Sequence, residues 1–240
     1  MKGQSLHIGL NHVNQANYNQ IITQLKGCEN DAVAMQNLAE NLGYSHTKVL
    51  LNKEATHQAV KAAIAETAHL LEADDIFLLT YSGHGSQIID VNGDEADMLD
   101  ETWVLYDREL IDDELYELWS KFVPGVRIVV VSDSCHSGTI TKSTDRVNYQ
   151  GMVKEALLES VKASGILISA CKDAQKALDG EVHSLFTSKL LEVWDDGKFR
   201  ASHRSLRNAI ATKLPRGRSP NYFLFGKQNV KFSRQQAFII

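Results

Sequence analysis

The sequence predicts an α/β fold with a mostly parallel central sheet and helices on both faces. Short runs of apolar and β-branched residues alternate with segments whose apolar residues recur every three or four positions. The runs at residues 76–81 (IFLLTY) and 126–131 (VRIVVV) are almost wholly apolar, which is typical of strands buried on both faces of a parallel sheet. Strands that alternate with helices favour a layered α/β domain.

Seven strands are predicted from the apolar runs and their turn residues. They cover residues 6–10, 46–51, 75–81, 102–106, 126–131, 165–170 and 222–225. The first helix is predicted over about 30–42, because Met35, Leu38 and Leu42 recur at helical spacing and Gly43 follows as a stop.

Further helices are predicted from caps and breakers. Thr56 is expected to cap a helix with Val60, Ile64 and Leu71 on one face. An acidic first turn opens a helix over 112–122, which Pro124 and Gly125 end. The remaining helices are predicted as a piece ending near Ala163, at 182–194 and at 205–214.

Composition narrows the class of protein. The chain has 240 residues, 43% of them hydrophobic and 23% charged, and a net charge of −5. Nucleic acids and anionic membranes usually need basic patches, so neither is an expected partner. No secretion signal or membrane-length apolar run is found. The three cysteines, Cys28, Cys135 and Cys171, form no CxxC pair, so we expect a reducing, cytoplasmic setting and no structural zinc.

Two of the buried strands lead into short polar motifs, SGHG at residues 82–85 and DSCHSG at 133–138. Ligands bind at the carboxyl edge of parallel sheets, so His84 and Cys135 are expected to meet there. A thiol attacks as its thiolate and needs a nearby base, which His84 would supply. The backbone N–H groups of Gly85 and Cys135 are candidates for an oxyanion hole. Outside such motifs, a cysteine is more often a packed free thiol and a histidine more often a surface residue. The two motifs at the ends of buried strands favour the catalytic interpretation here.

Together, YSGHG (81–85) and DSCHSG (133–138) resemble the metacaspases and orthocaspases, which are caspase-like cysteine peptidases. The resemblance extends over nearly the whole chain, since HIGLN, GCENDA, the acidic loop ending in Asp100-Glu101, and ISACKDAQKA fall in the family's order. It implies a caspase-like three-layer sandwich, with His84 as general base and Cys135 as nucleophile.

The resemblance also implies a primary pocket that accepts Arg or Lys at P1. Its counterparts here are Cys28, Asp31, Ser82 and Asp133. Paired carboxylates match the donors of a guanidinium or ammonium group. Asp31 can also be explained as a helix N-terminal charge, and only the motif favours the pocket.

Two other side chains are assigned structural roles. His136 adjoins Cys135 in sequence but is expected to point elsewhere and to be structural. Cys171 follows a strand and is expected to be buried packing.

Calcium is an activator in many metacaspases. The loop beginning at Asp90 matches an EF-hand at several positions, but Glu95 stands where that motif requires glycine, so an EF-hand is rejected. The resemblance instead implies Asp100, Asp112 and Asp113 as calcium ligands, with no cofactor required for the chemistry itself. Lys142 stands where the family has a fourth aspartate, and a cation there opposes metal binding.

One caspase-like domain is expected over residues 1–240. A large-subunit-like portion would end near 140 and a small-subunit-like portion would begin near 163. In the family that the chain resembles, the loop after the nucleophile can be cut autocatalytically after a basic residue, and the corresponding loop at about 139–162 contains Lys142, Arg146, Lys154 and Lys162. Exposed polar loops are also nicked by other proteases.

The leading interpretation is therefore a cysteine endopeptidase acting on proteins or peptides with Arg or Lys at P1. One alternative is a related peptidase with another preference such as Asn, which Asp31 and Asp133 oppose. Another is a catalytically silent, partner-binding module, which the intact His84 and Cys135 oppose. An external activator protein is a candidate partner. The resemblance favours a monomer over caspase-like edge-to-edge dimers.

Overall fold

A computed structural model describes residues 1–89, 99–136, 160–170 and 182–240, and within them all side chains except those of 87–89, 99–101 and 135–136. The strands are β1 (Gly3–Gly9), β2 (His46–Leu51), β3 (Ile76–Ile89), β4 (Leu99–Val104), β5 (Glu109–Ile111), β6 (Arg127–His136), β7 (Ser164–Ser169) and β8 (Asn221–Gly226). The α-helices are α1 (Cys28–Asn41), α2 (His57–Leu70), α3 (Asp112–Trp119), α4 (Leu185–Trp194), α5 (His203–Lys213) and α6 (Val230–Arg234).

These strands form one mixed, mostly parallel sheet in the order β2-β1-β3-β6-β7-β8. The pairs from β2 through β7 are parallel, and β8 runs antiparallel to β7 at the edge. A second, antiparallel branch consists of β4, which pairs with the outer half of β3, and β5, which pairs with β4. The sheet confirms the predicted α/β class.

Helices cover the sheet on both faces. Phe77 and Leu79 of β3 pack in one buried cluster with apolar residues of α2 and α3. Ile76 and Leu78 point the other way, into a cluster with residues of α1, α4 and α5. Because successive strand residues alternate between faces, β3 divides the core into two layers, as a three-layer sandwich requires.

Several predicted boundaries are confirmed. Residues 46–51 form β2 as expected, and the Thr56 hydroxyl accepts a hydrogen bond from the Ala59 N–H at 3.2 Å to cap α2. Helix α4 begins at Leu185 and not at 182, because Ser184 is its N-cap. Residues 160–163 are not helical, contrary to the helix predicted to end near Ala163.

The largest difference is that β3 and β6 continue beyond their apolar runs. The prediction ended these strands near Tyr81 and Val131, but they extend to Ile89 and His136. The small residues beyond the apolar runs stay extended because the two strands pair with each other and β3 also gains β4 as a partner.

Short elements were missed. Strand β5 and helix α6 have three and five residues, too few for a periodic signal. The residues Asp90, Glu95, Lys142, Arg146, Lys154 and Cys171 lie outside the described residues, as do the predicted loop at 139–150 and the part of the predicted helix that precedes residue 160. In the described part of the chain, no helix is long and apolar enough to cross a membrane.

Candidate active site

His84 and Cys135 lie opposite each other on adjacent parallel strands. Pairing of β1 with β3 ends at Gly9 and Ser82, and pairing of β6 with β7 ends at Ser132 and Ser169. Strands β3 and β6 continue pairing beyond these points through His84–Cys135 and Gly85–His136. The two residues predicted to carry the chemistry thus stand where β3 and β6 extend beyond the carboxyl edge of the other parallel strands.

The imidazole of His84 is held by the backbone carbonyl of Thr23. His84 is 7% exposed, and its Nε2 lies 2.6 Å from the Thr23 oxygen. A carbonyl oxygen can only accept, so Nε2 carries the proton in this contact. The contact fixes the ring orientation and leaves Nδ1 as the nitrogen able to take up a proton.

Stacked aromatic rings support the extension from the α2 and α3 side of the sheet. The Tyr81 hydroxyl is within hydrogen-bonding distance of the carbonyl oxygens of His84, at 2.6 Å, and Val104, at 3.0 Å. The Trp103 indole N–H donates to the Ser132 hydroxyl at 3.1 Å. These buried groups join β3, β4 and β6 directly beneath the His84–Cys135 pair.

The predicted pocket residues Asp31 and Ser82 are in contact. Asp31, in the first turn of α1, is 1% exposed, and its Oδ2 accepts a hydrogen bond from the Ser82 hydroxyl at 2.7 Å. On Oδ1 it contacts His183 Nδ1 at 2.8 Å. The Ser184 backbone N–H is 3.3 Å from both carboxylate oxygens. Asp31 is therefore a buried acceptor and not only a helix-terminal charge.

Asp133 stands in register with Ser82, one same-face step before Cys135. Its Oδ2 accepts from the Thr187 N–H at 3.0 Å, from the Thr187 hydroxyl at 2.8 Å, and from the Ser184 hydroxyl. Both aspartates therefore bind the N-terminal end of α4, Asp31 at the two residues before the helix and Asp133 at the N-cap and the first turn. An added Cβ on Gly27 would lie 2.7 Å from the Ser184 nitrogen, so glycine permits this close approach.

Burial disfavours the ionised form of both carboxyl groups. Burial raises the pKa of Asp31, and hydrogen bonds from Ser184, Ser82 and His183 oppose the rise. Burial and the nearby Asp31 charge raise the pKa of Asp133 to about 6. A cation placed next to two such carboxyl groups stabilises their ionised forms, so the pair favours binding of a positively charged group.

A small cavity lies beside the two carboxyls. Its volume of about 10 Å³ corresponds to roughly one water molecule. Asp31, Thr80, Ser82, Asp133 and Thr187 supply its polar lining. The fourth predicted pocket residue, Cys28, is buried at the start of α1 and does not line this cavity.

The other predicted positions are also located. Gly85 and Cys135 are strand residues, and Gly85 lies between β4 and β6 in the sheet. Asp112 and Asp113 open α3, where Asp112 is 1% exposed, and Asp100 lies in β4 opposite Ile88.

A calcium site is not assembled by the described residues alone. Among them, no group of three or more His, Cys, Asp or Glu side chains is arranged to hold a metal ion. Asp112 and Asp113 supply two carboxylates, whereas calcium takes six to eight oxygen ligands.

Sequence reasoning missed the partners of the site residues. Thr23 contributes a backbone carbonyl, which carries no sequence signal. His183 and Ser184 follow Asp31 by more than 150 residues, so no local pattern connects them. Ser184, three residues before Thr187, is a typical N-cap residue, so its place at the start of a helix could have been predicted from the sequence.

Comparison with known proteins identifies the family of the chain. The caspase domain family model matches residues 12–236. Metacaspase-1A of Aspergillus niger is 34% identical over 69% of this chain and 43% of its own length. Metacaspase-1 of Botryotinia fuckeliana is 32% identical over 77% and 46%, respectively. The chain thus spans less than half the length of these relatives.

A solved structure agrees over the full chain. The crystal structure of protein GSU0716 from Geobacter sulfurreducens superposes with a TM-score of 0.85 and 39% sequence identity. The alignment covers 100% of this chain and 99% of that chain.

Proposed function

This chain belongs to the caspase domain family, with metacaspases among its relatives, and from that premise we propose that it is a cysteine endopeptidase cleaving after Arg or Lys. The observation that carries the proposal is the register of β3 and β6. It pairs His84 with Cys135 and, two residues earlier, Ser82 with Asp133. Residues two apart on a strand share a face, so the proposed reactive pair and the proposed acidic pocket are neighbours.

The proposed reaction begins with the Cys135 thiol. His84 takes the thiol proton on Nδ1, because Nε2 is occupied by the Thr23 carbonyl. The thiolate attacks the scissile carbonyl carbon, and backbone N–H groups of Gly85 and Cys135 stabilise the oxyanion. His84 then returns the proton to the leaving amine, and water releases the acyl group from sulfur.

Specificity for a basic P1 side chain would come from Asp31 and Asp133. Their raised pKa values reflect two buried carboxyls whose charges a guanidinium or ammonium group would compensate. Because the cavity holds only about one water, the basic side chain must displace part of the present donor set. Among the donors to Asp31, His183 is partly accessible to solvent, with 27% of its side chain exposed.

Labelling with a thiol-reactive, arginine-bearing peptide ketone tests the proposal. We expect covalent modification at Cys135, mapped by mass spectrometry, and its loss in Cys135→Ala and His84→Ala. An aspartate-bearing ketone of equal length is the matched control probe. Labelling by the aspartate probe alone would contradict the pocket, and no labelling of folded protein would favour the silent, partner-binding module.

Calcium and assembly are separate parts of the proposal. Addition of calcium or of a chelator to the labelling reaction tests the activation implied by Asp100, Asp112 and Asp113; equal labelling in both would contradict it. We expect a monomer in sedimentation velocity, acting on protein or peptide substrates. A labelling rate that rises on addition of a cell extract would support an external activator.

A further inference from the structure

Asn11 lies just beyond the end of β1 and uses its backbone and side chain to hold the segment that leads into α1. Its backbone oxygen accepts from the Leu25 N–H at 2.7 Å. Its side-chain Nδ2 donates to the Lys26 carbonyl at 3.0 Å and to Glu29 Oε1 at 2.8 Å. The sequence indicated only that a strand stops here.

The same side chain caps helix α1. Gly27, the N-cap residue, has no side chain for this purpose, and Asn11 Oδ1 instead accepts from the Cys28 N–H at 2.9 Å and the Glu29 N–H at 3.4 Å. The strand end and the helix start are in close contact, since a Cβ on Gly9 would lie 2.3 Å from the Cys28 oxygen. Asn11 therefore caps α1 from outside the helix, 17 residues before Cys28 in the sequence.

This segment contains the Thr23 carbonyl that contacts His84, and it leads directly into the helix that carries Asp31. Thr23, whose carbonyl orients His84, lies two residues before Leu25, and Asp31 lies in the first turn of α1. Asn11 is itself fixed, because its backbone N–H donates to Asn52 Oδ1 at 2.9 Å. Toward Thr23, Asn11 uses its backbone oxygen on Leu25 and its Nδ2 on Lys26. Toward α1, it uses its Oδ1 on the Cys28 and Glu29 N–H groups and its Nδ2 on the Glu29 carboxylate.

We propose that Asn11 is a positioning residue that sets the His84 imidazole through the bond from its Nδ2 to the Lys26 carbonyl, and the Asp31 carboxylate through its Oδ1 contacts with α1. The inference rests on the proposed function, because it assigns roles to His84 and Asp31. Loss of Nδ2 loosens the segment that carries the Thr23 carbonyl. Loss of Oδ1 uncaps the helix that carries Asp31.

Two substitutions separate the two roles. Asn11→Asp keeps an oxygen for the Cys28 and Glu29 N–H groups but removes the donor to Lys26. Asn11→Ala removes both. The double variant Asn11→Asp/Glu29→Gln removes the repulsion between the new carboxylate at position 11 and that of Glu29. The contact with the Lys26 carbonyl stays lost in this variant. Asn17→Asp is the matched control, because Asn17 also donates to a backbone carbonyl, that of Asp107 at 3.0 Å, and its side-chain hydrogen bonds within the described residues join it to Asn14 and Asp107, not to Thr23 or α1.

Steady-state cleavage of an arginine peptide, normalised by active-site titration, gives the readout. For Asn11→Asp and its double variant we expect kcat to fall about 10- to 100-fold with KM within about twofold of wild type. For Asn11→Ala, KM rises as well. Without the Thr23 carbonyl to stabilise the imidazolium form, the His84 imidazole takes up a proton less readily. The part of the pH–rate profile that reports protonation of His84 therefore moves to lower pH. Asn17→Asp should match wild type.

Several results would overturn the inference. These are an unchanged kcat and pH profile in Asn11→Asp, or equal losses in Asn11→Asp and Asn17→Asp. Wild-type protein that cleaves no arginine or lysine peptide would contradict the proposed function instead. In that case the pH dependence of Cys135 alkylation decides separately: a profile shifted in Asn11→Asp supports the inference, and one identical to wild type overturns it.

Discussion

The rings of Tyr81 and Trp103 stack face to face, with centroids 4.5 Å apart and planes 4° from parallel. Tyr81 belongs to β3 and Trp103 to β4, and the Trp103 N–H reaches Ser132 of β6. The stack therefore ties together the three strands that meet below His84. It gives the extended strand pair a rigid base in a place where the sequence has mostly glycine and serine.

Removal of the Tyr81 hydroxyl should weaken both stability and catalysis. Tyr81→Phe leaves the buried carbonyl of His84 without this donor, which costs about 1–2 kcal/mol of unfolding free energy. We expect a lower kcat in peptide cleavage as well. Tyr44→Phe is the control, because its buried hydroxyl also donates to a carbonyl, that of Phe238 at 2.9 Å, away from the site. A kcat unchanged in Tyr81→Phe, or reduced equally in the control, would contradict this role.

Neutralising Asp133 should remove recognition of basic side chains. Asp133→Asn retains an oxygen for the Thr187 and Ser184 donors but loses the charge that a guanidinium would pair with. We expect kcat/KM for arginine peptides to fall at least about 30-fold. Asp195→Asn, an exposed carboxylate paired with Lys198, should leave the rate unchanged. Equal rates for wild type and Asp133→Asn would rule out Asp133 as the pocket floor.

The same variant should respond to pH in stability. Burial and the Asp31 charge raise the pKa of Asp133 to about 6, from about 3.9 in an unfolded chain. The folded protein then binds this proton more tightly, so Asp133 lowers stability increasingly as pH rises from about 4 through 6. We expect Asp133→Asn to gain in Tm over wild type at pH 7.5 and to lose that gain by pH 4. A difference that grows toward low pH would contradict the raised pKa.

An ion-pair network that joins Glu114 of α3 to α2 and to Arg108 gives the opposite pH dependence of stability. Glu114 accepts hydrogen bonds from His57, Lys61 and Arg108, at 3.0, 2.8 and 2.8 Å. Partial burial opposes its ionisation, but these donors lower its pKa to about 2. Its stabilisation is therefore present above about pH 4.5 and is lost as pH falls toward 2.

We expect Glu114→Gln to cost about 1–2 kcal/mol of unfolding free energy at pH 7 and progressively less below pH 4.5. Urea unfolding across this range measures the difference. Glu117→Gln, an exposed position on the same helix, is the control. A loss independent of pH would mean that packing, and not the charge of Glu114, carries the effect.

The sequence predicts the layers of this fold well because its buried strands and capped helices are local signals. Residues 46–51 and the Thr56 cap illustrate this. The extension of β3 past Tyr81 was not predictable, because SGHG has no strand propensity of its own and is held by pairing with β6 and β4.

The proposed site divides in the same way. His84, Cys135, Asp31 and Asp133 stand in recognisable motifs, so they could be named from the sequence. The Thr23 carbonyl and the Asn11 amide act through positions in space, which local patterning does not encode. His183 lies 152 residues after Asp31 in the sequence, and only the folded chain brings the two side chains together.

Cleavage of a matched set of short fluorogenic peptides ending in Arg, Lys, Asp or Asn tests the central claim most directly. Wild type and Cys135→Ala would be assayed side by side, each with calcium and with chelator. The account predicts cleavage after Arg or Lys that disappears in Cys135→Ala. Cleavage after Asp alone, or cleavage after Arg that survives in Cys135→Ala, would contradict it.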